Sequence, residues 1–90
     1  MSRAKGKIPK EIPLSKVRKM LIRSGAVFER QTGNHQRWTR VVRGRTHLTI
    51  LQADDPVRKD VYEAVSRQLR ISKKEWKRLH EDKNTSSLQR

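Results

Sequence analysis

Three histidines, His35, His47 and His80, are the side chains here whose ordinary titration falls near neutrality, and the chain has no cysteine. An imidazole can take and return a proton at physiological pH, so each is a candidate general acid or base. The three lie too far apart in sequence to form a spaced metal-ligand motif. Without cysteine there is neither a thiolate metal site nor a disulfide framework. His35 directly follows the turn residues Thr32, Gly33 and Asn34, and Arg37 comes two positions later. Turn amides and a guanidinium are donors that stabilise negative charge growing in a reaction. Arg37 is the first candidate for that role, and the amides of Gly33 and Asn34 are the second. Glu29 is the only acid near the turn, and pairing with an arginine would account for it. On spacing alone, a lone exposed histidine is more often an ordinary surface residue. No serine–histidine–acid arrangement, phosphate-binding glycine loop or paired-carboxylate motif is present.

Positioning these groups falls to a short series of elements. Residues 1–13 are rich in Lys, Ile and Pro without clean periodicity, and read as a mobile basic arm. Ser15 is a good N-cap for a first helix, with Leu14, Val17 and Leu21 on one face and Gly25 as its stop. Lys16, Lys19 and Arg23 make the opposite face basic. From Ala26 to Leu51 the pattern changes to short strands: Val27 to about Arg30, His35 to Val42, and Thr46 to Leu51, the last two joined by Arg43-Gly44. Three such strands form an antiparallel meander.

Alternation puts His35, Arg37 and Thr39 on one strand face and Gln36, Trp38 and Arg40 on the other. With Trp38 filling the core, His35 points to the open face. In the third strand Leu48 and Ile50 alternate with His47 and Thr49, and the apolar pair is expected inward, with His47 at a solvent-facing position. Asp55-Pro56 signals a second helix, with Val57, Val61, Ala64 and Val65 on its core face. Ser72 and Glu75 form a capping box for a last short helix carrying Trp76 and Leu79, and His80 is a polar residue at its end. Residues 81–90 read as a disordered tail. The expected product is an α+β domain over 14–80, its helices on one face of the sheet and the other face open.

The charge points to the partner. Of 90 residues, 23 are Lys or Arg and 9 are Asp or Glu, giving a formal net charge of +14. Such a chain attracts polyanions, and nucleic acid is the commonest of them, ahead of an acidic membrane or protein surface. Arg40, Arg43 and Arg45 of the hairpin are the favoured contacts, being read as near His35. Lys16, Lys19 and Arg23 stand evenly between phosphate binding and simple solvation. There is no signal-peptide apolar stretch and no run of the ~20 apolar residues a membrane span needs, so the expectation is a soluble, cytoplasmic protein.

From Leu14 to Leu79 the chain resembles the HicA-like toxins, the mRNA-cleaving halves of HicA/HicB toxin–antitoxin pairs, whose fold is related to double-stranded-RNA-binding domains. The resemblance rests on the helix ending in Gly25, Phe28, the turn Gly33-Asn34-His35, Trp38, the last strand, Pro56, Arg67-Gln68 and Ile71-Ser72. The family typically carries Gly-Ser-His or a close variant at the turn, and its histidine is catalytic. Two positions depart: Gln52-Ala53-Asp54 stands where a Pro and a His are frequent, and Arg70 where a Gly often ends the second helix. The resemblance implies an endoribonuclease with His35 as general acid/base, no metal or other cofactor, a 2′,3′-cyclic phosphate product and a HicB-like antitoxin partner, acidic where it meets this chain. The alternatives are a non-catalytic RNA-binding module of the same fold and a basic structural protein such as a ribosome-associated subunit.

Overall fold

The structure, a computed structural model, describes residues 8–82. Its order is β1 (Glu11–Ile12), α1 (Leu14–Arg23), β2 (Val27–Thr32), β3 (His35–Val42), β4 (Arg45–Gln52), β5 (Val57–Arg58), α2 (Lys59–Gln68) and α3 (Lys73–Glu81). Strands β2, β3 and β4 form the expected antiparallel meander with β3 in the centre. The turn between β3 and β4 places Arg43 and Gly44 at φ 54° and 79°, the doubly left-handed geometry of a two-residue type I′ hairpin. Each helix buries residues three or four apart: Val17, Met20 and Leu21 of α1, Tyr62 and Val65 of α2, Trp76 and Leu79 of α3. These meet Trp38 and Leu51 of the sheet in one core. The fold is α+β, with one sheet face covered and the other open. Among the described residues no helix is long and apolar enough to cross a membrane.

Several local expectations are corrected. The arm does not run to residue 13: Ile12 is buried and pairs with Val57, the Lys59 amide donates to the Lys10 carbonyl at 2.7 Å, and the Tyr62 hydroxyl donates to the Pro9 carbonyl. Burial, with Glu63 second, pushes the Tyr62 hydroxyl up to about 12, so it remains a donor. Residues 1–7 and 83–90 lie outside the described residues. Glu81 ends α3, and Asp82 reaches back to Arg23 at 3.0 Å, so these two residues are not part of a disordered tail.

The two helix starts also differ. Pro56 does not open a helix. Val57 is buried in β5, and α2 begins at Lys59, because pairing with Ile12 holds the segment extended. Tyr62 takes the buried place, while Val61 and Ala64 are half-buried. Ser15 lies inside α1, which starts after Pro13 without a cap from its own sequence. Asp55 supplies the cap from across the fold, accepting from the Leu14 amide at 3.1 Å. Replacing Asp55 by Ala is therefore expected to lower the stability by about 1 kcal/mol, read as an earlier midpoint in urea unfolding.

The Ser72 expectation holds: its hydroxyl accepts from the Glu75 amide at 3.1 Å. Arg70, between α2 and α3, sits at φ 63°, where a Cβ is strained and glycine is not. Arg70→Gly is expected to stabilise the domain by about 0.5–1 kcal/mol, seen as a melting point raised by a few degrees.

The largest correction concerns β4. Thr49 is 2% exposed, whereas Leu48 and Ile50 are 44% and 48% exposed. Register decides this: Trp38 faces Thr49 and Gln36 faces Leu51, and directly opposed residues share a face. Because Trp38 must be buried, Thr49 and Leu51 turn inward with it and Leu48 and Ile50 turn out. The Thr49 hydroxyl is satisfied there by Gln68 Oε1 at 2.6 Å. His47 pairs with Arg40 on the covered side and is half-buried, so it is not the solvent-facing residue the pattern predicts.

Candidate active site on the open sheet face

His35 opens the central strand and is exposed, with Thr32 and Gln52 as its cross-strand neighbours. Burial along β3 follows the predicted alternation: Gln36 and Trp38 are buried, and Arg37 and Thr39 face the other way, half-exposed. Gly33 adopts φ 59° at the head of the turn. Among the described residues, neither the Gly33 nor the Asn34 amide is a donor in a turn, loop or cap hydrogen bond. Both remain available to an anion.

The turn is held from two sides, by Gln31 and Gln36, which sequence reasoning did not single out, and by Gln52-Ala53-Asp54, which it noted only as a departure from the family pattern. On one side a chain of amides leads out of the core. The Trp38 indole donates to Gln36 Oε1 at 3.0 Å, Gln36 Nε2 to Gln31 Oε1 at 3.0 Å, and Gln31 Nε2 to the Gly33 carbonyl at 2.9 Å. On the other side, Asp54 accepts from Asn34 Nδ2 at 2.9 Å and from Gln52 Nε2 at 3.1 Å, while the Ala53 amide donates to the Asn34 carbonyl at 2.8 Å. The Gln52-Ala53-Asp54 segment thus positions the turn. A buried glutamine joined to partners at both ends restricts where the strand end can sit. His35 is accordingly carried on a rigid support although its own ring is free among the described residues. The Asn34 side chain is committed to Asp54, which leaves its amide as the group that can meet a ligand.

Arg37 lies on the same face as His35. Its Nε donates to Glu29 Oε1 at 3.1 Å, and Thr39 Oγ1 donates to Glu29 Oε2 at 3.1 Å. Glu29 is the extra residue where the register shifts between Phe28 and Arg30. Both partners are two-fifths exposed, so this pair adds little stability and mainly orients the guanidinium. The irregularity also sets Arg30 directly opposite Arg37, two cations side by side on the open face. Arg30 was not legible from alternation, because a bulge resets the alternation at that point.

The remaining cations are distributed otherwise than expected. Arg40 does not share the open face with His35. It points to the covered side, where Nε donates to the Ser24 carbonyl at 2.9 Å and Nη1 to the Leu69 and Arg70 carbonyls, each at 3.0 Å. It closes the C-terminal ends of α1 and α2. Arg43 and Arg45 belong to the opposite end of the hairpin from His35. Seven residue steps of about 3.3 Å put the strand ends roughly 23 Å apart, so these arginines are not beside the turn. Lys16, Lys19 and Arg23 are on α1 in the helical layer behind the sheet, and Arg23 is paired with Asp82. Burial lowers the Lys16 pKa. His80 in α3 is half-buried. Burial first, and the Lys16 charge second, lower its pKa against a smaller opposing effect of Glu81. No cluster of three or more metal-ligating side chains exists among the described residues. Compared with known proteins, the chain matches no protein-family model, no curated protein and no solved structure.

Proposed function

We propose that this chain is an endoribonuclease of the HicA-like toxin type, cutting RNA with His35 as its general base and silenced by an acidic HicB-like antitoxin. The observation that carries the reading is a single exposed imidazole on a braced glycine turn, beside Arg37 and Arg30 on the sheet face the helices leave open. In the reaction, His35 takes the 2′-hydroxyl proton, the 2′-oxygen bonds to phosphorus, and the P–O5′ bond breaks. Water protonates the departing 5′-oxygen, leaving a 2′,3′-cyclic phosphate. Arg37 and the amides of Gly33 and Asn34 face the charge that builds on the phosphorane. The nucleophile belongs to the substrate and the base is an imidazole, so the chemistry makes no call on a metal.

The open face also bears on the partner. Val27, Val41, Leu48 and Ile50 are exposed there. A solvent-facing apolar patch with cations around it suits a protein surface that is apolar at its centre and acidic at its rim. A partner seated on this patch would cover His35.

The test is direct. Purified protein is incubated with single-stranded RNA in excess chelator, and the 3′ ends of the fragments are analysed. Cleavage to cyclic phosphate, blocked by a 2′-deoxy substitution at the cut, is the expected result. Intact RNA that is nevertheless bound would instead identify a non-catalytic RNA-binding module.

A further inference from the structure

Away from the sheet face, a cleft of about 960 Å³ runs between α2 and the start of α3. One bank presents Lys59, Arg67 and Arg70, and the other Lys73, Lys74 and Lys77; among the described residues Glu63 is the only acid lining it. Like charges gathered around one cleft repel one another. Among the described residues, Lys59, Arg67, Arg70, Lys73 and Lys74 take part in no ion pair. Arg70 occupies this place at φ 63°, where glycine would sit without strain. The floor includes Ile71 and Trp76. Trp76 is 2% exposed, and its indole N–H has no acceptor among the described residues. A buried donor without a partner is unfavourable, so this one is suited to an acceptor brought by a ligand.

We propose that this cleft is a second RNA-binding site, which holds the phosphodiester backbone of the substrate strand at a distance from the scissile bond. The identity of the strand rests on the nuclease reading above; the anionic character of the ligand rests on the cleft itself. Two facing rows of cations match a polyanionic chain laid between them, each phosphate meeting a charge from either bank. A membrane surface is the poorer fit, because the aromatic ring of the cleft is sunk in its floor and offers nothing to insert into lipid. Affinity would then come largely from the helical side of the domain and cleavage from the sheet side, so long RNAs would be handled better than short ones.

The test uses the full chain carrying His35→Ala, so that bound RNA survives. Binding of a fluorescent single-stranded RNA is followed by anisotropy across a salt series, with and without the changes Arg67→Gln, Lys73→Gln and Lys74→Gln. Each lost phosphate contact removes about 0.7 from the slope of log K against log salt, so the triple variant is expected to lose about 2. Arg67→Lys alone should keep the slope. In the His35 background, the triple variant should cut a long RNA with raised KM and a trinucleotide at the unaltered rate. An unchanged slope overturns the inference. So does an unchanged slope accompanied by lost binding to phosphatidylglycerol vesicles, which would make the cleft a lipid site. If the chain with His35 cuts no RNA at all while the slope still falls, the nuclease reading fails and the cleft remains an RNA site.

Discussion

Replacing His35 by alanine is expected to lower the rate of RNA cleavage by about 10²–10⁴-fold, the usual value of a positioned acid or base. The same change should leave thermal stability within about 0.5 kcal/mol of the parent, because the ring is exposed and bonds to nothing among the described residues. The two readouts together carry the meaning. A loss of cleavage with an unaltered melting curve separates chemistry from folding. His47→Ala and His80→Ala provide the contrast: both side chains are half-buried within the helix-covered part of the domain, and neither change should reduce the rate at temperatures where the protein is folded. RNA binding by His35→Ala should persist, since affinity comes from phosphate contacts. Cleavage at full rate by this variant would end the nuclease reading.

Arg40→Met is expected to destabilise the domain by about 2–3 kcal/mol, because carbonyls at the ends of two helices lose a charged donor while the aliphatic stem is kept. The guanidinium reaches three acceptors, one after α1 and two after α2. For a domain of this size, such a loss lowers the melting temperature by roughly 10 °C or more. The midpoint in urea should move while the slope of the transition stays the same. Below the transition, RNA affinity and its salt dependence should be unchanged. A variant with normal stability but a shallower salt slope would return Arg40 to the RNA-contacting set.

These two residues mark how far the site could be read in advance. His35 and Arg40 stand five positions apart on one strand, and alternation assigned each to its face. For His35 the face was enough, since an exposed imidazole after a glycine turn has its surroundings defined by neighbours in sequence. For Arg40 the face was known, but its partners, the carbonyls of Ser24, Leu69 and Arg70, are 16, 29 and 30 residues away. A positive charge carries no mark of whether it will meet a phosphate or a helix end. The braces behind the turn were hidden for the same reason: Gln31, Gln36 and Asp54 are ordinary polar residues until the register sets them side by side.

What the amino-acid order determines unaided is local: the presence of the three helices, the Ser72 cap, the two glycine hairpins, the α+β class and the exposure of His35. Each depends on φ/ψ preferences and side-chain periods that operate over a few residues. Tertiary structure decided the rest. It turned Leu48 and Ile50 outward because burial of Trp38 commits Thr49 across the ladder, held Val57 in a strand because Ile12 lay beside it, and gave α1 a cap from Asp55. In each case the controlling energy is a contact between segments distant in the chain, and such contacts are selected by the packing of the whole domain.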